Sequence, residues 1–339
     1  MLTASYLLLG LAIILAWPAP IVLSRAHWTS RSPFTALLLW QAIALAGGLS
    51  MIGAFLVWGL SPLGDNLLSA LSGFRGILAG EPGAALLTVV HVFALSTALL
   101  LGAHLVFTLL LTAYKVTRQR ARHRRLLALL SGPSASIPGT VVVEHQAPVA
   151  YCLPGFNGSL TVLSRGLLDS LDEEGLRGVV AHERAHLDQR HDLLVLAFES
   201  WNQALPWLPT SRLARLAVQE LIEMLADDAA LEQVSRDDLL RSLVAVSSGM
   251  DPSPVGAVEA RLGDAVETDR PHGTGARESA AGPGRAAAVP PSQLSSLRLR
   301  RLLSPVGELP ASGRATVMAT AVLLVLVPTL ALVAPGLLN

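Results

Sequence analysis

The sequence predicts a multi-pass α-helical membrane protein with four spans and a cytoplasmic α+β domain between the third and the fourth. Three observations predict it. Four runs are free of Asp, Glu, Lys and Arg over lengths that reach or exceed the roughly 20 residues a helix needs to cross a bilayer. Basic residues gather beside those runs, not within them. Between the third and fourth runs the pattern changes to short β-branched stretches and then to helical periodicity. Composition agrees, because the chain is 52% hydrophobic and only 15% charged, where a soluble domain carries about a quarter charged residues.

The first run is residues 2–23. A cleavable signal peptide would carry a basic segment ahead of its apolar core, but the first charge here is Arg25, so a retained span is expected. Residues 34–60 and 84–113 form the second and third spans, completing a membrane region over 1–113, and residues 315–337 form the fourth. Orientation follows from Lys and Arg in the short flanks. Arg25 and Arg31 lie between spans one and two with no acid beside them, and "KVTRQRARHRR" follows span three. Arg298, Arg300, Arg301 and Arg314 precede span four. These biases predict both termini outside and residues 114–314 in the cytoplasm. The run after span three has no interleaved aromatics, so it reads as a lipid-facing flank and no direct nucleic-acid partner is expected. No segment is expected beyond the fourth span, which ends near Asn339.

The cytoplasmic part divides by composition. Residues 114–250 read as a folded domain. Residues 251–293 lack aromatics and are dominated by Pro, Gly and Ala, which reads as a flexible linker. Residues 294–314 return to the membrane, with Leu297, Leu299 and Leu302 spaced for a short helix. Within the folded domain "TVVVEH" (140–145), "APVAYCLPG" and "GSLTVLS" read as three short strands. A helix is expected from Ser170, which with Glu173 fits a capping box, and another from about Ser211 to Glu232. Cys152 is the only cysteine, so an intrachain disulfide is excluded.

The chemistry is carried by "VVAHERAHLDQRHD", residues 179–192. His182 and His186 are one helical turn apart and share a face, so both imidazoles can reach one metal ion. Glu183 points toward the same cleft and can act as general base. A catalytic zinc needs a third protein ligand and an open position. "QELIEMLADDAAL", residues 219–231, offers Glu223 followed by Asp227. Glu223 is the leading third ligand and Glu220 its competitor. Asp227 suits the free ring N–H of a ligand histidine. His191 would close the site as a fourth ligand and is expected to be a helix-end group instead. His91 and His104, inside the third span, are read equally as functional groups or as neutral hydrogen-bonding residues.

The order of these parts resembles the BlaR/MecR-type family of integral membrane zinc metallopeptidases, antirepressors in β-lactam signalling. The matching pieces are "VVAHERAHLDQRHD", "ALPWLPTSRLARL" and "ELIEMLADDAAL", within three spans, a cytoplasmic domain and a fourth span. The resemblance implies a gluzincin-like metallopeptidase domain and one Zn2+ per chain held by His182, His186 and Glu223, with Glu183 as general base. It implies an endopeptidase of the bacterial cell membrane in signal-responsive regulation, cleaving a cytoplasmic protein. A winged-helix transcriptional repressor leads as that substrate and the chain's own linker comes second. The penicillin-binding sensor of the best-known members is not expected here. "APVAYCLPG" and the stretch after it are similar to the HtpX and prenyl-protein peptidases, which implies a substrate-pairing strand at Val149, Ala150, Tyr151 and Cys152. The alternatives are an HtpX-like quality-control protease and a non-catalytic membrane signal transducer.

Overall fold

The computed structural model describes residues 1–80, 82, 86–130, 132–133, 140–155, 159–248, 296–304 and 307–333. The linker predicted at 251–293 lies outside them. The chain forms two compact units, one of residues 1–113, 190–225 and 304–339, the other of residues 114–189 and 226–303.

The first unit is helical, and four of its helical stretches are long and apolar enough to cross a membrane. The first is broken: α1 (Leu2–Ala16) ends at Trp17 and α2 (Pro18–Ser24) restarts with proline at its first position. Proline has no N–H to continue the ladder, which is why the helix breaks there. α3 (Pro33–Leu60) is the second. It packs on α1 and on α12 (Ala311–Val333), the last of the four. The small residues of "AGGLSMIG" permit that approach. A Cβ added at Gly53 would stand 3.1 Å from Leu332 Cδ2 of α12, and one at Gly47 3.6 Å from Leu15 Cβ of α1. Between α3 and the third stretch, α4 (Leu67–Leu78) is closed by a reciprocal Asn66–Ser69 capping box. α5 (Val89–Leu130) begins five residues inside the third apolar run, read as 84–113, and continues unbroken through the basic flank. At its start His91 Nδ1 accepts from the Thr88 N–H at 3.3 Å, so this histidine is used locally.

Two more helices of the first unit come from the region the sequence assigns to the peptidase domain. α8 (His191–Ala204) and the first part of α9 (Pro209–Leu231) pack among the apolar helices. Phe198, Val218, Leu221 and Met224 share one core with Leu15, Leu37, Trp40 and Ile43. The sequence announced α9, from about Ser211 to Glu232, but not α8 as a separate helix. Apolar periodicity does not tell which surface an apolar face will meet, and residues 190–225 cluster with the apolar helices, not with the sheet.

The second unit holds a four-stranded sheet of order β1-β2-β4-β3, made of β1 (Gly132–Pro133), β2 (Thr140–Val143), β3 (Ala150–Leu153) and β4 (Leu160–Ser164). β2 and β4 are parallel, while β3 pairs antiparallel with β4 and forms one edge. α6 (Arg165–Ser170) and α7 (Glu173–Asp188) follow. The expected cap is displaced by two residues. Ser170 ends α6 and its hydroxyl donates to Leu167 O, whereas Asp172 caps α7 by accepting the Gly175 N–H at 2.8 Å. α10 (Arg236–Ser248) crosses α7 closely at Gly178, where an added Cβ would lie 3.6 Å from Ser242 Oγ and 3.8 Å from Leu239 Cδ1. α11 (Ser296–Leu303) is the predicted return helix, and its Leu302 is buried with Ala181, Ala230, Val234, Leu239 and Leu243.

Candidate metal centre

The apolar face of α7 seats it on the sheet. Val179 is buried with Ala150 of β3, Leu163 of β4 and Leu167 of α6, and Leu176 and Val180 pack against them. With that face fixed, the next turn presents His182 and His186. Their Nε2 atoms are 3.3 Å apart and their rings meet edge to face with centroids at 5.0 Å. His182 is buried and His186 half-buried.

The ring of His182 is held from behind. Its Nδ1 is 3.0 Å from Asp227 Oδ1, a separation that suits a proton on Nδ1 and a free lone pair on Nε2. This is the arrangement in which a second carboxylate fixes the tautomer of a ligand histidine. Asp227 is held in turn by Arg298 of α11: Nη2 donates to Oδ1 at 2.7 Å and Nε to Oδ2 at 2.8 Å. Both side chains are almost fully buried. Burial pushes the Asp227 carboxyl up, but hydrogen bonds from His182 and Arg298 outweigh it and keep the group below the ordinary carboxylate value. Arg301 forks onto neighbouring Asp228 at 2.6 and 2.8 Å, and Arg236 Nη1 donates to Arg301 O and Leu302 O at the end of α11.

α9 is one continuous helix, so Glu223 stands one turn ahead of Asp227 on the same face. His182, His186 and Glu223 each offer a potential ligand atom, and these atoms lie within 4.8 Å of one another. Among the described residues this is the one such group of three or more His, Cys, Asp or Glu side chains. Glu220, the competing ligand on sequence grounds, is not in it, and neither is buried His191, the first residue of α8. The donor set, two imidazoles and a carboxylate, fits zinc.

Glu183 is half-buried beside the pair. Its reach toward β3 is registered by Cys152, whose thiol is pushed up to about 11, first by burial and further by the charge of Glu183. A thiol two units above its ordinary value holds about 100-fold less thiolate near neutral pH. Alkylation of Cys152 in the native protein is therefore expected to run about 100-fold slower than in the denatured chain, checked by timed reaction with iodoacetamide and mass spectrometry. Equal rates would mean that β3 does not bury this face.

The strand's backbone is oriented by its register. Ser164 N–H donates to Val149 O at 2.9 Å, so the pairs that hydrogen-bond to β4 are those of residues 149, 151 and 153. By alternation, Ala150 and Cys152 turn their N–H and C=O groups to the outer edge. No strand among the described residues pairs there. Tyr151 points the other way, its hydroxyl 2.8 Å from His123 Nε2, and burial pushes that phenol up to about 12.

Arg298 and Arg301 are site residues that the sequence analysis missed. Counted as flank charges before the fourth span, they are instead paired with Asp227 and Asp228. The available signal was the "LRLRR" spacing, which places two arginines three apart on a short amphipathic helix.

Comparison with curated proteins gave no match, and comparison with solved structures gave none. Residues 116–215 match the sequence model of Peptidase family M48, a stretch of 100 of the 339 residues. Because it lies over the edge strand and the helix that carries both histidines, this match supports an M48-family metallopeptidase.

Proposed function

We propose that this protein is a membrane-embedded zinc endopeptidase whose active site works on the cytoplasmic side. The convergence of His182, His186 and Glu223, with His182 locked by Asp227, is the observation that carries the reading. Zinc held there would supply Lewis acidity, which brings hydroxide within reach of neutral pH and polarises a carbonyl. The remaining work belongs to the chain. Glu183 takes a proton from the attacking water and returns it to the leaving amine. Asp227 and Arg298 keep the His182 ring in register. The outward N–H and C=O groups of Ala150 and Cys152 are placed to pair with an extended substrate beside Glu183.

The substrate class proposed is a cytoplasmic protein, with cleavage serving signal-responsive regulation as in the antirepressors the motif order resembles. A winged-helix repressor is the leading candidate. The membrane assignment rests on the four apolar stretches, and the side of the membrane on the basic residues beside them, notably the run after span three.

Zinc content tests the ligand set without a substrate. Purified in detergent, wild type and E220A are expected to hold about one zinc per chain, and E223A far less. Zinc retained in folded E223A and lost in E220A would move the third ligand to Glu220. A folded wild type that takes up no zinc would remove the enzyme reading.

A further inference from the structure

The turn that joins α8 to α9 is buried in an unusual place. Leu205 and Leu208 are 5% and 4% exposed. With Ala204 they pack against Ala16 of the first apolar stretch, Met51 of the second, and Leu101 and Leu105 of the third. Each of those four lies at least eight residues from either end of its stretch, the shortest distance being Ala16 to Ser24. Eight residues of helix are about 12 Å.

Turns lie at protein surfaces because water satisfies their backbone. In hydrocarbon, irregular backbone persists only where protein groups replace that water. Such replacement is what surrounds this turn. His104 Nε2 is 3.1 Å from Ala204 O, which gives this intramembrane histidine a structural use. Ser211 Oγ is 2.6 Å from Leu205 O and 2.9 Å from Leu208 O. Thr210 Oγ1 stands 2.6 Å from both Leu15 O and Ala16 O, the carbonyls beside the Trp17–Pro18 break. Further polar pairs join α8 to α5 and to α9. Thr112 Oγ1 donates to Gln203 Oε1 at 3.0 Å, and Arg215 faces Glu199 at 3.8 Å. Arg212, exposed on the first turn of α9, has a stem long enough to carry its charge toward the interface.

One side of the turn remains uncovered. Trp207 is 64% exposed, and its ring lies 6.2 Å from that of Trp17, itself 43% exposed at the mid-stretch break. α1, which ends at Trp17, carries further exposed apolar residues, among them Ile13 and Ile14.

We propose that α8, the turn and the start of α9 form a re-entrant hairpin, with Trp207 covered by lipid acyl chains. The helix that later presents Glu223 and Asp227 is then rooted inside the bilayer. This inference rests on the membrane reading above and goes beyond it, because a peptidase domain lying wholly in the cytoplasm would keep this turn in water.

Nitroxide labels at single cysteines, in a C152S background of the full chain reconstituted in liposomes, test it by collision with oxygen and with a polar nickel chelate. The positions are W207C, the span references L100C and L323C, and the surface reference D237C. A polar chelate is excluded from hydrocarbon, so the oxygen-to-nickel ratio at 207 is expected to match the span references and exceed that at 237 on the order of tenfold or more. A ratio at 207 like that at 237, with 100 and 323 in lipid, overturns the hairpin and leaves the membrane reading standing. Ratios at 100 and 323 like that at 237 overturn both. If W207C does not fold, quenching of native Trp207 by brominated acyl chains, read as the difference between wild type and W207F, decides the same question.

Discussion

Replacing Glu183 with glutamine is expected to leave zinc content at the wild-type level and to lower peptide hydrolysis by roughly 10²- to 10⁴-fold, the usual contribution of a positioned general base. The two halves of that expectation come from different observations. Glu183 is not among the group whose ligand atoms converge, so the metal has no call on it. It follows His182 directly on α7 and reaches toward β3, where its charge is felt by the Cys152 thiol. Glutamine keeps the volume and hydrogen-bonding outline of the side chain but cannot accept the proton. Single-turnover cleavage of a quenched-fluorescence peptide library, with zinc measured on the same preparations, reads both quantities. Hydrolysis unchanged in E183Q would remove Glu183 from the chemistry. Hydrolysis and zinc lost together would make it part of the ligand shell.

The parts legible in the sequence were those governed by local rules. Charge-free length announced the four apolar stretches, and a β-branched run with the turn residues after it announced β2, β3 and β4. The one-turn spacings of His182 with His186 and of Glu223 with Asp227 put each pair on one helix face. What could not be read depends on partners distant in the chain. Leu205 and Leu208 look the same in sequence whether their turn meets water or the middle of an apolar helix bundle. The cap expected at Ser170 fell two residues short, because α6 ends on Ser170 and Asp172 caps α7. Most distant of all, Arg298 stands 71 residues from Asp227, beyond the compositionally simple stretch 251–293. A positive charge just ahead of an apolar run satisfies the orientation rule by itself, so nothing local marked this arginine as buried.

That burial sets the second large effect. R298M is expected to destabilise the second unit by about 3 kcal/mol or more, because removing one partner of a buried pair leaves the other charge without compensation. Asp227 would keep only His182, and its carboxyl would rise. A depressed carboxyl contributes stability that is present above its unfolded value, near pH 4, and is lost as pH falls through its folded value. In R298M that loss should therefore begin at higher pH than in wild type. R298K retains the charge but not the two-pronged grip of Nε and Nη2, so it should fall between the two. Stability alone would not separate a structural strut from a group that positions the site. The double variant R298M/D227L does so, since a buried ion pair exchanged for apolar side chains of similar volume is often neutral for folding. It should recover most of the lost stability while zinc affinity stays 10- to 100-fold weak, the usual cost of losing the carboxylate behind a ligand histidine. Thermal unfolding followed by circular dichroism and zinc competition with a chelator measure the two effects separately. Full recovery of zinc affinity in the double variant would reduce Arg298 and Asp227 to packing, and the His182 tautomer would then need no support from α11.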